Sequence, residues 1–365
     1  MLNPPNAPSL LRAACVVCAL ILAGCSSNDA EGASPAADSA SAEVEQSTTT
    51  TNTATTDPTT AAPATTTTAD AEATTTEPAT TTAPATTAAP PEEVERAFNG
   101  RPVPQAPTTV DEAISQFISV QDGLRAEGST QDDWADLGHA EQLIVRTLLR
   151  QPDWQELFIA SLPDDYSRIA ELHLEARTEL GLLHSGGVVS ERVPGWRIVD
   201  PEPLDVLVSH YQRGAEETGI EWEVLAGINL IETVMGRIDG VSSAGALGPM
   251  QFLPTTWPEV SQGGDVLDPA DAIPGAARYL VQRGGLDDIR AGLWGYNNSD
   301  HYGNAVLAYA EMVRFDERSL RGFYNWEVYV GSAEGTLWLP VGFDEPEPRS
   351  AADYLAENPW ASTLG

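Results

Sequence analysis

Between Ser26 and about Glu95 the chain is built almost entirely from Thr, Ala and Pro with scattered acids, and no basic residue occurs between Arg12 and Arg96. Such a tract has too few large apolar side chains to offset the entropy that ordering it would cost. Any packed core must therefore come from the residues after it. The composition predicts a disordered, partly polyproline-like tether over residues 25–95. Roughly 65 residues at about 3 Å each reach nearly 200 Å when stretched, whereas a flexible coil of that length averages about 50 Å.

The segment ahead of the tract sets the expected destination. Residues 11–25, LRAACVVCALILAGC, form a short apolar run after one Arg. The run is too brief for a comfortable membrane-spanning helix and suits a secretory signal over residues 1–24. Leu22-Ala23-Gly24-Cys25 resembles a lipobox, the site at which a bacterial lipoprotein is diacylated on Cys and cut before it; ordinary signal cleavage nearby is the alternative. The resemblance implies lipidation at Cys25 and a membrane anchor. Cys15 and Cys18 fall in the segment expected to be discarded, so no intramolecular disulfide is expected and stability must come from packing. Two acyl chains plus an amino-terminal lipid hold a protein on a membrane far more firmly than one chain does.

After the tether, apolar residues recur at helical spacings: Ile114, Phe117 and Ile118; Leu143, Ile144, Leu148 and Leu149; Ile169, Leu172, Leu174 and Leu180. They predict a helical accessory region over residues 96–190. His139, His173 and His184 show no ligand spacing and read as surface or structural residues; no metal site and no cofactor are expected. Over 191–318 the pattern predicts helices at Leu204–Thr218, at Pro269–Arg283 closed by Gly284-Gly285, at Leu286–Tyr296 and at His301–Arg314. In 319–365, Trp326, Val328 and Val330 alternate, then Leu337, Leu339 and Val341, around Ser332-Ala333-Glu334-Gly335. This predicts a β-hairpin, at the rim of a cleft or as a small appended unit. The fold class is thus mainly α with a small β part and one loop-rich side.

The chemistry concentrates between Gly227 and Trp257. Trp222, Val224, Leu225, Ile228, Leu230, Ile231 and Val234 are too densely apolar for a surface helix, and one acid, Glu232, sits at the end of the run. Partial desolvation there disfavours a carboxylate and raises its pKa, which a general acid working near neutral pH requires. Gly236 is expected to let the helix stop without a side chain over the acid. The ordinary alternative is a helical Glu at the rim of the core, paired with Arg237. Ser242, Gly245, Ala246, Gly248, Met250 and Gln251 then make a small-residue turn where a ligand can approach closely, and Pro254, Thr255 and Thr256 read as the start of another helix.

These elements resemble the lytic transglycosylases with a lysozyme-like catalytic domain. The match lies in Glu232-Thr233-Val234-Met235-Gly236 (E-[ST]-x-x-G), in Ser242 through Gln251 (S-x-x-G-A-x-G-x-x-Q) followed by Phe252-Leu253-Pro254, and in Tyr296-Asn297. It spans roughly residues 196–315. Thr after the acid and the QF-x-P run look closer to the membrane-bound B-type branch than to the soluble type.

The resemblance implies that Glu232 protonates the glycosidic oxygen between N-acetylmuramic acid and N-acetylglucosamine, then takes a proton from the C6 hydroxyl of the same muramoyl unit, which attacks C1 to give a 1,6-anhydro end. Intramolecular attack carries a high effective molarity, on the order of 10^5 M or more in favourable cases. A second carboxylate, which ordinary glycosidases need, is then dispensable. Asp239, Asp265, Asp268 and Asp271 lie nearby, but Asp268-Pro269-Ala270-Asp271 reads as a helix cap with an acidic first turn. By the same analogy Ser242 and Gln251 hydrogen-bond the sugar, and Tyr296 and Asn297 line the opposite wall. Each also has a purely structural reading, satisfying turn backbone groups or capping a helix.

A net charge of −35, with every basic residue an Arg, argues against nucleic acid as partner. It also repels anionic wall polymers, so a groove for peptidoglycan strands must be neutral or carry Arg, with Arg237 and Arg278 as contributors. The expected setting is the cell envelope, exported and lipid-anchored to a membrane face toward the peptidoglycan. Two alternatives stand beside the transglycosylase: a hydrolytic muramidase on the same fold, and an inactive glycan-binding scaffold lipoprotein in a wall-remodelling complex. Replacing Cys25 by Ser is expected to move the protein, expressed in a bacterium, from the membrane to the soluble fraction; unchanged membrane association would rule out Cys25 as the anchor.

Overall fold

Helix starts are written locally in the sequence, and a computed structural model, which describes residues 94–362, follows them closely. The expected signal, Cys25 and nearly all of the expected tether lie outside the described residues. The first helix of the described residues, α1 (Val110–Arg125), begins where Thr109 accepts a hydrogen bond from the Glu112 amide, with Asp111 and Glu112 in its first turn. α2 (Gln131–Arg150) opens on a reciprocal cap between Thr130 and Asp133. The short α3 (Gln155–Ala160) and the long α4 (Asp164–Leu183) follow.

Two brief strands, β1 (Arg192–Val193) and β2 (Arg197–Ile198), lead into α5 (Leu204–Thr218) and α6 (Trp222–Thr233). Beyond them lie β3 (Ile238–Asp239), the single turn α7 (Trp257–Val260), α8 (Pro269–Gln282), α9 (Ile289–Asn297) and α10 (Asp300–Phe315). The chain ends with α11 (Ser319–Tyr324), the hairpin β4 (Val328–Ser332) and β5 (Gly335–Leu339), then β6 (Arg349–Ser350) and α12 (Ala351–Glu357). Helices dominate. The strands pair antiparallel as β1–β6, β2–β3 and β4–β5. Among the described residues no helix is long and apolar enough to cross a membrane.

α10 runs through the middle, packed against α4 on one side and α6 on another, while α5 packs on α8. The α6–α10 approach is close because Gly227 has no side chain: a Cβ there would lie 2.9 Å from the Val306 carbonyl oxygen. One hydrophobic cluster runs from Ala113 in α1 through Ile231 in α6 to Ala361, so the segments 96–190, 191–318 and 319–365 share a core.

The hairpin has the expected position and turn, with Ser332 opposite Gly335, but not the expected setting. All five residues of β4 are buried. Its alternation holds with both faces covered: Val328, Val330, Leu337 and Leu339 enter the main core, while Tyr329 and Trp338 pack with Ala97, Val103 and Leu143. It is therefore neither a rim nor an appendage, because the segment before α1 covers the face that the sequence leaves looking solvent-exposed.

Of the three histidines read as surface or structural, two are structural. His139 is 1 % exposed, with Nε2 2.7 Å from the Tyr329 hydroxyl. His173 is fully buried and stacks on Trp326. Burial, reinforced by Arg101, Arg146 and Arg237, holds the His139 pKa well below its ordinary value of 6.5. A lowered folded-state pKa means that the unfolded chain binds the proton first, so this contribution to stability is present above pH 6.5 and is lost as pH falls. The loss approaches about 1.4 kcal/mol per pH unit for one group. Urea denaturation of the wild type and of His139→Gln between pH 7 and 5 should show a shallower pH dependence for the variant; parallel curves would mean that His139 is not the group responsible.

Candidate functional site

α6 is buried from Val224 to its end, as the density of its apolar residues predicts, and Glu232 is only 1 % exposed. The Tyr302 hydroxyl, from the first turn of α10, donates to Glu232 Oε1 at 2.8 Å. The Tyr302 ring stacks nearly parallel on Tyr296, in the last turn of α9, at 6.1 Å between centroids. Tyr296 in turn donates its hydroxyl to the Met250 carbonyl at 2.7 Å. Glu232, Tyr302, Tyr296 and the turn carrying Gln251 thus form one connected group.

A second tie fixes the same turn to the end of α6. The Pro249 carbonyl accepts from Thr233 Oγ1 at 2.7 Å and from Asn229 Nδ2 at 2.9 Å. Asn229 is itself held by the Tyr211 hydroxyl, 2.7 Å from its Oδ1. The turn is closed by two backbone bonds between Leu247 and Phe252. Gly248 is obligatory there, with φ of +73° and a hypothetical Cβ 1.9 Å from the Val266 oxygen.

α6 does not end as its sequence suggests. Gly236 has a positive φ, but the helix has already stopped at Val234, and Val234 and Met235 both take left-handed conformations, at φ of 52° and 63°. A β-branched residue in that region costs about 1–3 kcal/mol. Burial of both side chains, to 3 % and 0 % exposure, holds them in place. Gln251 adds a third left-handed non-glycine residue, at φ of 49°. Such strain at one helix end and the turn bonded to it is characteristic of ligand sites.

The remaining side chains separate into committed and uncommitted groups. Ser242 Oγ accepts from the Ala246 amide at 2.9 Å and so closes its own turn. Gln251 Nε2 donates to the Gly248 carbonyl, while its Oε1 is buried without a partner among the described residues. Asn297 is 6 % exposed with Nδ2 likewise unpartnered. Unmet buried groups of this kind cost about 1–3 kcal/mol each unless a ligand or water completes them.

Neither arginine expected to serve the groove turns toward this group. Arg278 is engaged by Glu217 and the Val260 carbonyl, and Arg237 reaches the Tyr324 carbonyl and lines a different cavity. The neighbouring acids are occupied as well: Asp239 pairs with Arg197, Asp268 caps α8, and Asp271 accepts from the Asp265 amide. The helix expected from Pro254 starts only at Trp257 and lasts one turn. Tyr302 and the Asn229–Thr233 tie escaped the sequence reading; a Tyr six residues beyond Tyr296, in the first turn of the next helix, was the available signal. No group of His, Cys, Asp and Glu suited to a metal ion occurs among the described residues.

A scan against protein-family models, a search of curated proteins and a search of solved structures each found no match to this chain. Replacing Gly248 by Ala should lower stability by about 3 kcal/mol in chemical denaturation, because backbone must move on both sides of the contact; an unshifted midpoint would contradict the described turn.

Proposed function

We propose that the chain is a lytic transglycosylase that cleaves peptidoglycan between N-acetylmuramic acid and N-acetylglucosamine, with Glu232 as the only acid and base. The observation that carries the reading is a buried carboxyl at the end of an apolar helix, bonded by Tyr302 and locked to the turn that bears Gln251. Glu232 is held out of solvent with the Tyr302 hydroxyl on Oε1, a fixed position from which one carboxyl can give a proton to the leaving oxygen and then take one back. Proton transfer to the glycosidic oxygen breaks the C1–O bond. The C6 hydroxyl then bonds C1 and yields its proton to Glu232, which returns to its starting state without consuming water.

The employment of Asp239, Asp268 and Asp271 elsewhere supports a one-acid mechanism over a paired one. Gln251 Oε1 and Asn297 Nδ2 supply unmet hydrogen-bonding capacity for the sugar's hydroxyl and acetamido groups. Ser242 contributes by shaping the turn. A lysozyme-like domain, a lipid anchor at Cys25 and a place in the cell envelope complete the proposal and rest on the sequence motifs.

The test is product chemistry. Purified peptidoglycan incubated with the protein should release muropeptides with anhydro-muramoyl ends, detected by mass spectrometry. Glu232→Gln should reduce release by at least about a thousandfold while leaving the circular dichroism spectrum unchanged. Reducing ends in place of anhydro ends would establish hydrolysis instead, and wall binding without release would make the chain a scaffold.

A further inference from the structure

Two adjoining cavities lie away from the Glu232 group. One, of about 850 Å³, has largely apolar walls from Trp134, Leu204, Val208 and Leu320; the other, of about 420 Å³, is lined by Arg101, Arg237 and Asn325. Gln131 and Tyr324 line both, so they form two chambers of one cleft. It is bounded by the start of α2, the start of α5 and α11.

Arg237 is the unexplained group in it. The residue is 3 % exposed, yet its one side-chain hydrogen bond among the described residues runs from Nη2 to the Tyr324 carbonyl at 2.8 Å, and Nε is buried without an acceptor. The Tyr324 ring lies 5.9 Å from the guanidinium. No carboxylate of the described chain forms an ion pair with it, although the chain carries 54 acids. Its neighbour in the chamber differs: Arg101 is neutralised by Glu327 at 2.8 Å. A buried cation without an anion is strongly disfavoured, and an incoming carboxylate with two oxygens matches a guanidinium fork.

We propose that this cleft binds a carboxylate-bearing ligand with an apolar body, its carboxylate on Arg237 and its body against Trp134, Leu204, Val208 and Leu320. Asp132 and Asp200, both exposed, also line the Arg237 chamber. They disfavour ligands with more than one negative charge and select a monoanion. Gln131, at the junction of the chambers and donating to Asn325 Oδ1 at 2.7 Å, is placed to meet an amide or hydroxyl next to the carboxylate. A peptide carboxyl terminus with an apolar side chain and a small free acid share this chemistry.

Calorimetric titration of the full chain with N-acetyl-leucine and with N-acetyl-leucinamide reads the carboxylate directly. The acid should bind at least about tenfold more tightly than the amide, and Arg237→Gln should remove that preference. Arg237 is buried, so Gln131→Glu, an exposed change at a helix start, is the second variant: its added negative charge should weaken the acid severalfold more than it weakens the amide, and equal weakening of both would count against the proposal. N-acetyl-alanyl-leucine binding more tightly than N-acetyl-leucine would specify a peptide terminus, and equal affinity a small acid, both within the proposal. Equal binding of acid and amide, no heat from either probe, or equal competition by inorganic sulfate would overturn it.

Discussion

Two carboxylates with no access to solvent, Glu141 and Glu327, govern how this fold assembles. A buried charge is tolerated only when its lone pairs are filled, and here the partners come from distant parts of the chain. Glu141 accepts from Gln121 in α1 and from Trp326, with His173 of α4 at 3.4 Å. Burial pushes its pKa up, but His173, Gln121 and Trp326 outweigh burial and hold it below the ordinary value. Glu327 accepts from Arg101 and Trp338, and its backbone exchanges two hydrogen bonds with the Gln142 side chain. The two are satisfied together only when the segment before α1, α1, α2, α4 and the hairpin region have met. This couples the amino-terminal helices to the carboxyl-terminal hairpin and gives the Glu232 helix a rigid backing.

The candidate site is built by the opposite device. The end of α6 retains strain at Val234 and Met235, and Gln251 and Asn297 beside it keep unmet polar atoms. Its order comes from backbone locks, above all the Pro249 carbonyl shared by Asn229 and Thr233, and from the stacked phenols of Tyr296 and Tyr302. A rigid frame around unmet polar groups is the arrangement expected where binding, rather than packing, completes the structure.

Much of this was legible in the sequence because it is local. Caps and apolar spacing placed α5 at Leu204–Thr218 and marked α6 as buried, and a lone acid among apolar residues pointed to Glu232. What escaped depends on contacts between segments far apart. The covering of the hairpin's second face by residues before α1, the burial of His139 and the Tyr302 bond to Glu232 all join residues 70 or more positions apart, and periodicity carries no information at that range. The left-handed Val234 escaped for a different reason: local propensity argues against it, and only the surrounding packing makes it tolerable.

The unmet polar atoms of Gln251 and Asn297 have a thermodynamic consequence. In the free protein they are a standing deficit, so any molecule that satisfies both gains bonds without first breaking protein ones. Its binding free energy adds directly to the unfolding free energy, which grows as RT ln(1 + [L]/Kd). The folded state should then be more resistant to heat, denaturant and proteases where that ligand is abundant than in dilute buffer, making durability a property of the surroundings as much as of the sequence.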